Sequence, residues 1–198
     1  MIFEKGHFRS SRLQKSWINE SLNKTKTFSS RTAYDTKTTV FLSYKHKDLE
    51  ELEEATGVIE FLEDLGVKIY IDSMDNKMPE QTSGDTAKRI KEIIKYCNKF
   101  ILLATEKAIE SYWCNWELGI GDVHKYPNEI AVLPIKNRGQ LDYQYKGNEY
   151  LQIYPNIDYF KAFTNREGHF FKEGYYHKSL KGNDGRFYLT PLQDWLSK

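Results

Sequence analysis

Cysteine is nearly absent from this chain, which has two in 198 residues, Cys97 and Cys114. Two well-separated thiols make neither a disulfide framework nor a metal-ligand set, and they fit a reducing compartment. Long apolar runs are missing as well. Nothing approaches the roughly 18 to 20 residues that a membrane span needs, and the start MIFEKGHFRSSRLQK lacks the apolar core of a secretory signal. The expectation is a cytoplasmic chain, neither exported nor embedded. There is no excess charge of either sign: 29 basic and 28 acidic residues leave a formal net charge of +1. Nothing therefore draws the whole molecule to nucleic acid or to an anionic membrane, and small-molecule or protein partners are favoured. No Gly-rich phosphate loop, internal repeat or low-complexity tract is found.

The length suits one well-buried domain with residues left over. Residues 1–36 are rich in Ser, Thr, Lys and Arg, with only a faint stripe of Leu13, Trp17 and Leu22. They read as an N-terminal extension, an arm that packs on the domain or on a partner. The domain proper then covers residues 37–198 and ends in an aromatic-rich part.

From Thr38 the pattern sharpens. TTVFLSY is a short β-branched and aromatic run, and KDLEELEEATGVIEFLEDLG reads as a helix with Asp48 as N-cap, Glu51 completing a capping box and Gly66 at C′. VKIYID reads as a strand. A polar loop, SMDNKMPEQTSG, leads to a second helix on which Ala87, Ile90, Ile93, Ile94 and Cys97 share a face. FILLAT and IAVLPI are continuous apolar runs of the kind found in strands covered on both faces. Later, EYLQIYP reads as a fifth strand, and PLQDWLSK as a short closing helix with Pro191 at its first position. Alternating strands and helices predict an open, doubly wound α/β domain with a parallel sheet of about five strands. Ligands of such sheets bind outside the carboxyl ends of the strands, where SYKHKD, DSMD and SYWCNWE all arrive.

The last of these segments raises a chemical question. With Ser111 as N-cap, Tyr112, Trp116, Gly119, Ile120 and Val123 fall on one face and read as core. Trp113 and Glu117 fall together on a neighbouring face, directed at the crevice. A single helix glutamate is ordinarily a solvated charge; here it is also a candidate for a working carboxylate.

The order VFLSYKHKD, helix, VKIYID, a loop with Pro and Gly, an amphipathic helix, KFILLAT and SYWCNWELG resembles the Toll/interleukin-1 receptor (TIR) domain over about residues 38 to 135. The resemblance implies a flavodoxin-like fold and two kinds of activity, signalling by TIR–TIR assembly and cleavage of NAD at the nicotinamide glycosidic bond. NAD is then the substrate, and no cofactor is implied. The catalytic members carry a glutamate in a W-x-x-x-E-like setting, which maps onto Trp113 and Glu117. Loss of nicotinamide leaves an oxocarbenium-like ribose that a carboxylate can stabilise or hold by its hydroxyls, while aromatic walls exclude water. Ser43, Tyr44 and Lys45 end the first strand, where family members contact the nucleotide, and Asp72 occupies the family's ID position. Each has an ordinary alternative in strand-end polarity or loop structure. Lys45, Lys47 and Lys77 are candidates for the pyrophosphate, or plain surface charge, and His46 for a proton shuttle, or a solvated loop residue. His169 and His177 lack companion ligands at credible spacing, so no metal is assigned.

A departure from the family pattern lies in the loop after the second strand, where many family members carry an adjacent Pro-Gly pair used in assembly, whereas here Pro79 and Gly84 are separated. A chain of this kind resembles prokaryotic TIR proteins of antiviral defence (Thoeris-like), in which a cyclic or otherwise modified ADP-ribose activates a separate effector. The alternatives are a non-catalytic TIR adaptor and, more distantly, a nucleoside deoxyribosyltransferase-like enzyme, which would turn over deoxynucleosides instead of NAD.

Overall fold

The apolar runs become central strands because their side chains are covered on both faces. The computed structural model describes residues 2–9, 37–45, 49–71, 83–140, 148–181 and 186–198. Strand β1 (Phe3–Glu4) is followed by β2 (Thr39–Ser43), α1 (Leu49–Asp64), β3 (Lys68–Tyr70), α2 (Gly84–Tyr96), β4 (Lys99–Ala104), the single turn α3 (Glu106–Ile109), α4 (Tyr112–Lys125) and β5 (Ile130–Lys136). A 3₁₀ turn (Glu149–Ile153), β6 (Asn156–Phe160), the small pair β7 (Phe163–Thr164) and β8 (Phe170–Phe171), β9 (Gly174–Lys181), β10 (Arg186–Pro191) and α5 (Leu192–Ser197) complete the chain.

Strands β3, β2, β4, β5 and β6 lie side by side in that order and run parallel, which is the flavodoxin-like order 2-1-3-4-5. The antiparallel strands β9 and β10 extend the sheet beyond β6. The described start of the N-terminal segment packs on this sheet, since β1 adds in parallel to the end of β5, with Phe3 opposite Ile135 and Glu4 opposite Lys136.

Alternation along the strands builds two cores. Val40, Leu42, Ile101, Leu103 and Leu133 face α1 (Ala55, Val58, Leu62) and α5 (Leu192, Trp195, Leu196). Phe41, Phe100, Leu102 and Val132 face α2 (Ile90, Ile93, Ile94) and α4 (Cys114, Leu118). The aromatic tail meets the N-terminal segment over α1: Tyr175 is 4.6 Å from the Phe61 ring and 6.0 Å from Phe8, and its hydroxyl is 3.0 Å from His7 Nε2. At the opposite, amino-terminal edge of the sheet, His177 stacks on Trp195 at 4.5 Å and Lys99 Nζ lies 5.1 Å over the same indole.

Several expectations need correction. EYLQIYP is not a strand: its buried residues, Leu151 and Tyr154, are spaced for the 3₁₀ turn that it forms, and the fifth parallel strand is Asn156–Phe160. Helix α4 is rotated from the expected phase. Tyr112 and Val123 are 94% and 76% exposed, Gly119 is exposed, Trp116 and Ile120 are half-buried, and the buried stripe is Cys114, Glu117, Leu118, Gly121 and Lys125. Lys125 can be buried because its Nζ donates to the carbonyls of Lys95 and Cys97 at 3.2 and 2.5 Å. Gly66, with φ 92°, ends α1 as expected. Pro191 is the N-cap of α5, one position before the helix. Asp48 lies outside the described residues, and Glu51 meets Thr105 and Lys5, which belong to other elements.

Candidate functional site

In a sheet of order 2-1-3-4-5 the crossovers from β2 and β4 leave on opposite faces, which makes the carboxyl ends of these two neighbouring strands the switch point at which open α/β sheets form their ligand crevice. The strand pleat decides what faces it. Ser43 shares a face with Phe41, toward α4; Thr105, just past β4, shares a face with Leu103, toward α1.

Each hydroxyl meets a carboxylate there. Ser43 Oγ donates to Glu117 Oε2 at 2.5 Å, with the two residues 1% and 2% exposed. On the other side of the sheet Thr105 Oγ1 donates to Glu51 Oε2, and both residues are wholly buried. A carboxylate removed from water requires such donors, because an unpartnered one is expensive to bury. Two hydroxyl–carboxylate pairs thus flank the switch point.

Cys114, one turn before Glu117, is also buried, and its thiol is pushed up to about 11, first by burial and then by the charge of Glu117. It is therefore a packing residue and not a nucleophile at neutral pH. Ser111 is the buried N-cap of α4, and Asn115 Nδ2 ties that helix to α3 by donating to the Ile109 carbonyl at 2.9 Å.

Ser43 and Glu117 are in direct contact. Lys45 is half-buried and near enough to Cys114 to act on it electrostatically. Tyr44 is buried in the opposite core, with α1. Trp113 is 38% exposed, its ring 5.2 Å from that of Trp116 at 84°, so it sits on the outside of α4 while Glu117 points inward. Asp72, His46, Lys47, Lys77 and Pro79 lie outside the described residues. Gly84 is the first residue of α2. His169 is exposed 3.8 Å from Glu167, and His177 is buried on Trp195. Sequence reasoning missed the Thr105–Glu51 pair. Strand parity gives a signal for Thr105, but nothing in the acid-rich start of α1 distinguishes Glu51 from its solvated neighbours.

Comparison with known proteins adds a family. The family model of the TIR domain matches residues 40–172. No curated protein matches. Among solved structures, the 2-deoxyribosyltransferase from the psychrotolerant bacterium Bacillus psychrosaccharolyticus is similar at 18% sequence identity and a TM-score of 0.42, over 54% of this chain and 77% of that one. A likeness of that extent says nothing about substrate.

Proposed function

The chain belongs to the TIR domain family, and from that premise we propose that it is an NAD glycohydrolase or cyclase. In this reading it cleaves the nicotinamide–ribose bond and releases nicotinamide with an ADP-ribose product, linear or cyclised, that signals to a separate effector in antiviral defence. The observation that carries the reading is the buried Ser43–Glu117 pair at the switch point, where an open α/β sheet binds its ligands.

In this scheme a ribose hydroxyl takes the place of the Ser43 hydroxyl at Glu117. A bound ribose can donate to Glu117 in its place, so the carboxylate exchanges one hydroxyl for another without being left unpartnered. As nicotinamide departs, positive charge grows on the ribose, and a carboxylate already shielded from water stabilises it strongly. Lys45, at the end of the same strand segment, is available to the pyrophosphate. Asp72 completes the proposed substrate contacts. NAD is substrate in this scheme, with no separate cofactor.

Glu117 is 2% exposed, so substrate access requires the crevice to open. Self-association is the proposed trigger, because TIR–TIR contacts supply a neighbouring surface at which a crevice can be rebuilt and closed over ligand. A non-catalytic adaptor is the second reading, favoured by the exposed Tyr112, Trp113 and Val123 on the outer side of α4. Among the described residues no helix is long and apolar enough to cross a membrane. Incubation of the purified protein with NAD, followed by chromatography and mass analysis, separates the readings. Nicotinamide with an ADP-ribose species supports the enzyme, and intact NAD under assembling conditions supports the adaptor.

A further inference from the structure

Helix α1 buries two acids whose cationic partners come from the far N-terminus. Glu51 and Glu54 are each 0% exposed. Lys5 Nζ lies 3.3 Å from Glu51 Oε1 and 3.3 Å from Glu50 Oε1. Arg9 Nη2 lies 3.0 Å from Glu54 Oε1, which also accepts the Gly6 backbone N–H at 2.8 Å. The Phe8 carbonyl rests on Gly57, where a Cβ would stand 2.5 Å from its oxygen. The segment is thus seated by charge, by backbone hydrogen bonds to Glu54 and β5, and by shape.

The Lys5 contact leads into the site. Glu51 Oε2 accepts from Thr105 Oγ1, and that oxygen in turn accepts the Ala108 N–H at 3.1 Å, capping α3. Asn115 then fastens α3 to α4, the helix that carries Glu117. Every link is a hydrogen bond or ion pair at a buried or half-buried position. Removing the Lys5 charge takes an ion pair from a buried carboxylate, which favours turning toward water and pulls on Thr105.

We propose that residues 2–9 form an intramolecular clamp on the strand-end crevice, with Lys5 a positioning residue that fixes the Glu51–Thr105 pair and through it the α3 turn and the start of α4. The clamp makes occupancy of α1 by the N-terminal segment a requirement for an ordered crevice, so a partner that lifts the segment would loosen the site. The effect on catalysis rests on the NAD-cleaving reading; the effect on order does not.

The test uses the full chain with Lys5→Gln, Lys5→Arg, Thr105→Val and the Lys5→Gln/Thr105→Val pair, followed by amide hydrogen exchange. The clamp predicts at least tenfold faster exchange over residues 106–111 in Lys5→Gln, with protection of β4 and β5 retained and with Lys5→Arg restoring the slow rate. In the Thr105→Val background Lys5→Gln should add nothing further. Unchanged exchange at 106–111, independent and multiplying effects of the two substitutions, or an equal loss of protection throughout β4 and β5 would each overturn the proposal. Nicotinamide release by the same proteins is measured in parallel: kcat should fall tenfold or more in Lys5→Gln with a smaller change in KM. Absence of release by the unmodified chain would remove the enzymatic reading while leaving the exchange result to decide the clamp.

Discussion

Gly121 faces the ring of Phe100 so closely that a Cβ on the glycine would stand 2.9 Å from Phe100 Cγ. Phe100 is fully buried and stacked on Phe41 at 5.6 Å, so the ring has little room to yield. A residue with any side chain here pushes α4 away from the sheet. Gly121→Ala is therefore expected to destabilise by about 1 to 3 kcal/mol, the usual range for overpacking.

Two positions earlier the same substitution has the opposite sign. A Cβ at Gly119 meets nothing within 4 Å, and the residue is exposed in mid-helix. Gly119→Ala is expected to stabilise by roughly 0.5 to 1 kcal/mol, since alanine loses less backbone freedom on folding. Chemical denaturation of the two variants checks the pair, and equal shifts would contradict the placement of α4.

His177 makes folding sensitive to acid. Its pKa is lowered to about 4, chiefly by burial, with Lys99 adding to the depression and the Ile130 carbonyl opposing it. Below about 6.5 the unfolded chain takes up a proton that the folded chain refuses, so the loss of stability begins near 6.5 and continues as pH falls toward 4. Between pH 7 and pH 5 this group alone costs about 2 kcal/mol. His177→Phe keeps a ring on Trp195 and should flatten that part of the profile. An unchanged slope in urea titrations at the two pH values would exclude His177 as the source.

The paired tryptophans of α4 differ in surroundings. Trp116 is half-buried and packed against the core layer, whereas Trp113 is 38% exposed beside it. Trp116→Ala should cost roughly 1 to 3 kcal/mol, less than a full core deletion, and Trp113→Ala about 1 kcal/mol, mainly the edge-to-face contact. If Trp113 also lines a shared pocket in the assembled protein, its loss lowers NAD turnover more than it lowers stability. Thermal unfolding read beside turnover separates the two effects.

Much of the domain was legible because continuous apolar runs and a 3.6-residue stripe have few other meanings. FILLAT and IAVLPI became central strands, and Ile90, Ile93 and Ile94 became the buried face of α2, with Cys97 buried at its C-cap. Helix α4 was misphased for a definite reason: its inward face carries Glu117, Lys125 and Gly121, residues whose burial depends on partners elsewhere, a serine hydroxyl, two carbonyls and a phenyl ring. Hydropathy along one helix contains no record of those partners. Glu51 and Glu54 were hidden for the same reason, their cations lying at Lys5 and Arg9. Ser43 and Glu117 could be named from the sequence, but their contact needed the register of β2 beside β4 and the rotation of α4.

Burial of Glu117 predicts that activity depends on assembly. On the proposed function, specific NAD turnover should rise steeply with protein concentration as particle size grows, because a neighbouring copy would rebuild the crevice and close it over ligand. Pro79 or Gly84 substitutions should weaken that rise. Constant turnover per molecule by a strictly monomeric protein would point to a site completed within one chain.

The most direct measurement is nicotinamide release from NAD by the unmodified protein and by Glu117→Gln, under the same assembling conditions and with thermal unfolding as the control for folding. Glutamine keeps the shape and the hydrogen bond from Ser43 while removing the charge that would meet the oxocarbenium-like ribose. The account predicts release by the unmodified chain and a loss of about 10²-fold or more in the variant, with the fold retained. Equal release by a well-folded Glu117→Gln protein would contradict it.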